Sequence, residues 1–163
     1  MYKNILLPTD GLGKCAFGTC HGVLLAKDLH AKVTAICITD KFSAKELREI
    51  YAPEMIWSLS EGEKAKEAMA EAEKDRKELA GKALAVAEKM CTDNGVACEK
   101  VHLSGGDAVD GILQAAADKK CDLIFISTHG NPGVLGTLFG TVAKRILSRS
   151  KLPVLIHHCG GPS

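Results

Sequence analysis

Short apolar runs punctuate the chain, and longer segments with apolar residues at helical spacing separate them. Continuous apolar runs bounded by turn residues are typical of buried strands, whereas apolar residues that recur every three or four positions indicate helices. The predicted strands are Tyr2 to Pro8, Lys32 to Asp40, Val96 to Leu103, Asp122 to Ser127 and Pro153 to His158. The hydrophobic pattern therefore predicts a strict alternation of strand and helix along the chain.

The segments between these runs differ in how clearly their helical ends are marked. The predicted helices run from Lys14 to His30, from Ser60 to Thr92, within residues 105–120, and from Thr141 to Ser148. Ser60 and Glu63 form a capping box for the second helix, and a “DNG” turn provides a glycine cap at its end. Its predicted buried stripe comprises Ala65, Ala68, Met69, Ala72, Leu79, Ala83, Val86 and Met90. The many Glu and Lys residues are interpreted as a solvated helix face.

The alternation of strands and helices determines the predicted fold class. Right-handed crossovers bring each strand back in the same direction, so the sheet is expected to be parallel. The strands are apolar almost throughout, which is expected when helices cover both faces of the sheet. With 163 residues and no internal repeat, the chain is predicted to form one α/β, doubly wound domain over residues 1–158, with a tail at 159–163.

Composition narrows the class of protein without naming a function. Charged residues make up 25% of the chain, apolar residues 46%, and the net charge is +1, so no nucleic-acid partner is expected. No apolar run approaches the roughly 18 residues that a membrane span needs. The first residues lack the long apolar segment of a signal peptide. The seven cysteines include no C-x-x-C pair and are interpreted as reduced thiols. We therefore expect a cytoplasmic protein with no membrane partner.

Two loops that leave predicted strands carry the candidate chemistry. In open α/β sheets, ligands bind at the carboxyl ends of strands where the strand order reverses. One loop is “PTDG” after the first strand, and the other is “STHGNPGVLGTLFGT”, from Ser127 to Thr141. Its glycines permit close approach to an anion, and the helix that begins at Thr141 presents N–H groups that favour phosphate. The alternative is a glycine-rich turn in which Thr141 is a simple helix cap.

Other motifs in the chain do not support a specific chemistry. The stretch “GKCAFGTC” has threonine where a phosphate-binding P-loop requires lysine. The stretch “SGGDA” is interpreted as a turn with Asp107 capping a helix. His157 and His158 would face opposite sides of a strand, so no metal site is expected there. Nothing in the sequence places a nucleophile against a base, so no dedicated enzyme and no catalytic residue are predicted.

The two loops together resemble the nucleotide-binding branch of the universal stress protein family. That family combines an opening strand and “PTDGS” with the motif G-x2-G-x9-G-[ST], a helix and “PVLVV”. This chain has “ILLPTDG”, then Ser127-x2-Gly130-x9-Gly140-Thr141, then “VAKRILSRSKLPVLI”. The resemblance covers the whole chain and implies a five-stranded parallel sheet of order 3-2-1-4-5. In that order the first and fourth strands are neighbours, so both loops would border one crevice.

The same resemblance implies that the protein binds ATP or a related adenine nucleotide, with Mg²⁺ as an accompanying ion. Pro8, Thr9 and Asp10 would flank the adenosine, and the backbone of Ile38 would contact the adenine edge. The residues implied for the phosphate loop and its cradle are Ile126, Ser127, Thr128, His129, Gly130, Gly140, Thr141 and Val142. The implied role is regulatory, through nucleotide-dependent conformation, and the implied assembly is a homodimer formed through Pro153 to His158.

Several alternatives stay open at this point. Ser127 replaces the first glycine of the motif, which would cost about 1–2 kcal/mol if the position needs positive φ and little if it needs only a small side chain. His129 either contacts phosphate or is exposed, and Lys144 and Arg145 either approach the phosphates or form a solvated face. Lys41 to Leu59 is a lid, a partner surface or part of the core. A dimeric interaction module without nucleotide and a slow ATPase remain the alternative functions.

Overall fold

The computed structural model describes residues 1–10, 16–39, 63–128 and 141–159. Strands and helices alternate through this part of the chain, as the sequence predicts. The strands are β1 (Asn4–Pro8), β2 (Lys32–Thr39), β3 (Cys98–Ser104), β4 (Leu123–Thr128) and β5 (Val154–His158). The helices are α1 (Ala16–Asp28), α2 (Glu63–Asp93), α3 (Ala108–Asp118) and α4 (Thr141–Arg149). Ser60 and the segment from Lys41 to Leu59 lie outside the described residues.

The strands form one parallel sheet in the order β3-β2-β1-β4-β5, which confirms the predicted topology. β1 lies between β2 and β4, with Leu6 opposite both Thr34 and Ile124. β3 and β5 are the two outer strands of the sheet. The order reverses at β1 and β4, because the chain moves outward to β2 and β3 on one side and to β5 on the other. That reversal positions the candidate site.

Helices cover both faces of the sheet, so the strands bury side chains on each side. Ile5 and Leu7 of β1 point into a core with Val23 of α1 and the buried residues of α2. Leu6 points into the opposite core, where Ile146 of α4 and residues of α3 pack. Full burial of each such aliphatic side chain contributes about 1.5–3 kcal/mol. The predicted doubly wound α/β class is therefore confirmed.

The predicted buried stripe of α2 is wrong at several positions. The side chains of Leu79 and Val86 are 64% and 48% exposed, and Met69 is also exposed. The residues that face the sheet are Ala72, Ala80, Ala83, Leu84, Ala87 and Cys91. Adjacent helix positions lie about 100° apart, so a stripe built on Leu79 and Val86 is displaced by one position from the true one. Small side chains form most of the contact because they let the helix lie close to the sheet.

α2 is the longest of the described helices, with 31 residues. Its outward face carries exposed ion pairs one turn apart, Glu78 with Lys82 and Lys89 with Asp93. The predicted solvated face is thus present along the helix. Exposed pairs of this kind contribute little stability, because water screens both charges. Neither α2 nor another helix in the described ranges is long and apolar enough to cross a membrane.

The turn between β3 and α3 has the conformation that the sequence predicts. Asp107 caps α3 by accepting hydrogen bonds from the backbone N–H groups of Val109 and Asp110. Gly105 and Gly106 precede it with φ of 81° and 88°, a conformation that other residues rarely adopt. The predicted turn and helix cap in “SGGDA” are therefore confirmed, and the stretch has a structural explanation.

Candidate functional site

The carboxyl ends of β1 and β4 lie side by side where the sheet order reverses, which is the position of the ligand crevice in open α/β sheets. β1 leads into α1 on one face of the sheet, whereas β4 is followed by α4 on the other face. The two adjacent strands therefore send the chain in opposite directions and leave space between their exits. α4 runs back toward the start of β5, which is parallel to β4, so its first turn lies at the same edge of the sheet.

The exit of β1 lies beside the end of β2. The Thr9 N–H donates to the Ile36 carbonyl at 2.8 Å, so the chain follows β2 just beyond Pro8. Backbone groups alternate between the two edges of a strand, and the N–H and C=O of Ile38 therefore point toward the same edge as the Ile36 carbonyl. The Thr39 carbonyl confirms the alternation, because it accepts from Gly105 N on the opposite edge. The peptide groups of Ile38 thus face the crevice.

The Ile38 side chain is held on the α3 face of the sheet. It packs with the second core beneath the helix. A methyl group at Gly111 of α3 would lie 2.8 Å from Ile38 Cδ1, so glycine is needed for this close approach. The Ile38 backbone is consequently fixed at the rim of the crevice by contacts on its far side.

Ser127 lies inside β4, opposite His157 of β5, and has an extended strand conformation. In the described ranges, positive φ occurs outside glycine only at His30 and Lys120. The alternative in which Ser127 is strained in place of glycine is therefore wrong. Serine at this position fits the backbone without conformational cost.

The space for the Ser127 side chain comes from Gly18 on α1. A methyl group at Gly18 would lie 2.1 Å from Ser127 Cβ and 3.2 Å from the sulfur of Cys159. Real Cβ atoms do not approach other atoms so closely, so any larger residue at 18 would push α1 away from the sheet. No local sequence pattern indicates this contact, because Gly18 and Ser127 are far apart in the chain.

Thr128 ends β4 and points toward the opposite face from Ser127. Its side chain is 7% exposed, and its hydroxyl has no hydrogen-bond partner among the described residues. Its carbonyl accepts from the Cys159 N–H at 2.9 Å. An unsatisfied buried hydroxyl costs about 1–3 kcal/mol, so structures rarely retain one without a reason. The orphaned hydroxyl lies at the crevice edge of β4.

α4 supplies a helix N-terminus at this edge. Thr141 and Val142 are exposed, while Ala143 and Ile146 anchor the helix in the core. The first N–H groups of a helix lack partners within it and carry the positive end of its dipole. The first turn of α4 can therefore stabilise negative charge.

Arg145 of α4 is not a simple solvated cation. Its Nη1 donates to Asp107 Oδ2 at 2.8 Å, which ties α4 to the capped start of α3. Arg149 makes a second ion pair to Asp110 in the same helix. The Arg145 guanidinium, together with the backbone N–H groups that Asp107 accepts, holds the pKa of the Asp107 carboxyl below its usual value. No sequence pattern indicates that Arg145 and Asp107 form an ion pair.

The imidazoles of His21 and His157 form a stack beside β5. The ring centroids of His21 and His157 lie 4.3 Å apart. The His157 ring also stacks on Phe125, with 5.9 Å between the ring centroids. Burial is the main cause that lowers the pKa of His157, and the charge of His21 adds to it. In the described part of the chain, no group of three or more His, Cys, Asp or Glu side chains is arranged to hold a metal ion.

The described members of the predicted site lie at the ends of β1, β2 and β4 and at the start of α4. They are Pro8, Thr9, Asp10, Ile38, Ile126, Ser127, Thr128, Thr141 and Val142. Ile126 is buried in the core, so its contact with a ligand would be through the backbone. His129, Gly130 and Gly140 lie outside the described residues. The topology thus brings separate parts of the sequence to one edge of the sheet.

This arrangement defines a doubly wound α/β protein with its switch point between β1 and β4, and comparisons with known proteins identify the family. A model described as the Universal stress protein family matches residues 1–158. Universal stress protein MJ0531 of Methanocaldococcus jannaschii is 31% identical over 156 residues, covering 96% of this chain and 82% of the relative. The chain belongs to the universal stress protein family.

Solved structures share the fold over nearly their full length. A universal stress protein in complex with cAMP has a TM-score of 0.65 and 20% identity, with 98% of each chain covered. The universal stress protein of Archaeoglobus fulgidus in complex with dAMP has a TM-score of 0.58 and 16% identity, with 95% of this chain and 97% of that one covered. At such identities the likeness establishes the common fold.

Proposed function

We propose that this protein binds an adenine nucleotide, with ATP as the preferred ligand, in the crevice between β1 and β4. The observation that carries the proposal is the buried Thr128 hydroxyl, which has no partner among the described residues. It belongs to the same edge of the sheet as the first turn of α4 and the peptide groups of Ile38. A ligand with both a hydrogen-bonding base and a negative charge suits these groups.

Each part of the nucleotide has residues to hold it under this proposal. The adenine edge pairs with the N–H and C=O of Ile38, and Pro8, Thr9 and Asp10 border the adenosine. The phosphates take the Thr128 hydroxyl, the first N–H groups of α4 and the predicted loop residues His129, Gly130 and Gly140. Mg²⁺ would supply positive charge to the phosphates. Two relatives of the same fold were solved with cAMP and with dAMP, which supports an adenine ligand.

The proposed role is regulatory. A ligand shifts a protein toward the conformation that it binds better, and α4 is tied to α3 through the Arg145–Asp107 pair. Nucleotide binding at the start of α4 would therefore reach the surface of both helices. ATP in this role is a signal whose hydrolysis is not required.

A homodimer through β5 completes the proposal. β5 is an outer strand of the sheet, and the side chain of Leu155 is 37% exposed on it. Exposed edges of sheets readily pair with a second chain, and a twofold axis would let two copies of β5 cover each other. The assembly would protect the apolar residues of this strand.

The test begins with the ligand that the purified protein carries. The protein is denatured, and any released nucleotide is identified by mass spectrometry. The emptied protein is then titrated by calorimetry with ATP, AMP and cAMP, each with and without Mg²⁺, alongside the Gly140→Val variant. The proposal expects ATP to bind and Gly140→Val to abolish binding. No heat with any of the nucleotides at millimolar concentration would contradict it, and phosphate release over time would favour a slow ATPase.

A further inference from the structure

The carboxyl end of β2 continues past its pairing with β1. β1 pairs with β2 as far as Pro8, which lies opposite Ile36. β3 accompanies β2 further, with Ser104 opposite Thr39, the last residue of β2. The peptide groups of Ile38 that face the crevice therefore lie beyond the end of β1, on a part of β2 that is held from the β3 side.

Thr39 is bonded to β3 and to the turn after it through both its backbone and its side chain. Its carbonyl accepts from the Gly105 N–H at 2.7 Å. Its hydroxyl and His102 Nε2 form a hydrogen bond of 3.0 Å, and both side chains are half-buried. Thr39 directly follows Ile38, so these two bonds also fix the orientation of the peptide group that joins the two residues.

The two faces of the sheet hold this end of β2 in different ways. Side chains alternate along a strand, so His102 shares the α2 face with Lys100, which pairs with a glutamate of that helix at 2.6 Å. Ile38 lies on the α3 face, where Gly111 leaves room for its side chain. The bond between His102 and Thr39 thus supplies, on the α2 face, a restraint that apolar packing supplies on the α3 face.

We propose that His102 is a positioning residue for base recognition, which makes the crevice selective for adenine over guanine. The inference rests on the proposed nucleotide site and concerns how that site reads the base. Adenine presents an acceptor at N1 and an amino donor, which match the N–H and C=O of Ile38. Guanine presents a donor at N1 and an acceptor at O6, so the same peptide groups would meet their own kind. Polar groups that are fixed in place reject such a ligand, because they are left unpaired.

His102 acts on the base through Thr39. β3 lies on the far side of β2 from β1, so the His102 ring is one strand further from the switch point than the peptide groups of Ile38. Without its hydrogen bond to His102, the end of β2 is free to rotate its last peptide groups. Adenine would then be bound less well, and guanine would be rejected less strictly. Selectivity between the two bases is therefore the property that His102 controls.

The test compares ATP and GTP by calorimetric titration of the full chain. His102→Phe keeps a ring at this position and removes the hydrogen bond. We expect Kd for ATP to rise about three- to tenfold, as the loss of one hydrogen bond predicts, and the preference for ATP over GTP to fall by a similar factor. His102→Gln places an amide nitrogen near the position of Nε2 and should restore the wild-type preference.

Two further variants separate a positioning role from general damage to the protein. Thr39→Val removes the other partner of the bond, so it should lower the preference for ATP equally, and the double variant with His102→Phe should lose nothing more. Lys100→Met is the matched control. It removes a polar side chain from the same face of β3, two residues further from the crevice, and should leave the preference unchanged.

The restraint on β2 is measured without nucleotide, by amide hydrogen exchange at Gly105. This amide should exchange about three- to tenfold faster in His102→Phe and return to the wild-type rate in His102→Gln. Wild-type protein that binds no ATP would overturn the proposed nucleotide site and this role together. ATP binding with an unchanged preference in His102→Phe, or unchanged exchange at Gly105, would overturn the role of His102 alone.

Discussion

The substitution Thr128→Val is expected to have opposite effects on the stability of the fold and on nucleotide binding. Valine has nearly the shape of threonine, so the change removes the hydroxyl and leaves the packing in place. In the structure this hydroxyl is buried without a partner among the described residues. Its removal should raise the free energy of unfolding by about 1–2 kcal/mol, because an unsatisfied buried polar group costs about 1–3 kcal/mol.

The same variant should bind nucleotide more weakly. A hydrogen bond to a charged phosphate contributes about 1.5–3 kcal/mol, so its loss should raise Kd roughly 10- to 100-fold. The variant would then be more stable and less able to bind, a combination that general damage to the protein does not produce. Urea unfolding followed by circular dichroism measures the first effect, and calorimetric titration with ATP measures the second.

Thr34→Val is the matched control. Thr34 is fully buried in the sheet, but its hydroxyl donates to Asn4 Oδ1 at 2.9 Å. Here the same substitution leaves a buried acceptor without its donor, so stability should fall by about 1–3 kcal/mol. Thr34 lies near the start of β2, away from the crevice, so Kd should not change. If Thr128→Val destabilised the protein as much as Thr34→Val does, the reasoning about the orphaned hydroxyl would be refuted.

Three further predictions follow from contacts on the α1 side of the sheet and from β5. Gly18→Ala should cost about 2 kcal/mol in urea unfolding, because the methyl group overlaps Ser127, and most of this cost should vanish in a Ser127→Gly background; an equal cost in both backgrounds would contradict the contact. Leu155→Lys should weaken the proposed homodimer, and an unchanged mass in light scattering would exclude this interface. The lowered pKa of His157 means that its stabilising contribution is present above its unfolded pKa of about 6.5 and is lost as the pH falls below it. His157→Phe should therefore flatten the pH dependence of unfolding between about pH 7 and 5, and identical pH profiles would count against the assignment.

The fold was predictable because the sequence repeats one clear signal. Each central strand is a short, nearly uninterrupted apolar run, and such runs separated by helical segments admit few topologies other than a parallel doubly wound sheet. The strand order itself came from the resemblance to the family. The structure confirms both. Local signals were equally reliable where one residue type determines the conformation, as for Asp107 at the start of α3 and the glycines before it.

The face of α2 was not predictable to the same degree. The helix is rich in alanine, and alanine occurs on its buried and exposed sides alike. Without a contrast between apolar and polar positions, the pattern favours the largest apolar residues as the buried ones. The sheet instead accepts the small side chains of Ala80 and Ala83, because a helix that packs closely needs them at the contact. Leu79 and Val86 remain outside as exposed residues.

Contacts between distant parts of the chain account for what the sequence reading missed in the site. Arg145 and Asp107 are separated by 38 positions, and nothing local distinguishes either from an ordinary surface charge. Ser127 and Gly18 are a stronger case, because neither residue taken alone indicates the contact between them. Together they form a fitted pair in which the glycine on α1 makes room for the serine on β4.

The contact between Gly18 and Ser127 changes which residue is expected to determine nucleotide affinity. A motif glycine replaced by serine would weaken binding if the backbone there required glycine, but Ser127 is an ordinary strand residue whose side chain contacts α1. The side chain that points to the other face is that of Thr128, and it is the one with an unsatisfied hydroxyl. Exchange of Ser127 for Gly should therefore change nucleotide affinity little, whereas exchange of Thr128 for Val should change it strongly. Calorimetry on the two variants compares neighbouring residues on opposite faces of one strand, and a larger loss at Ser127 would place the ligand on the α1 side of the sheet.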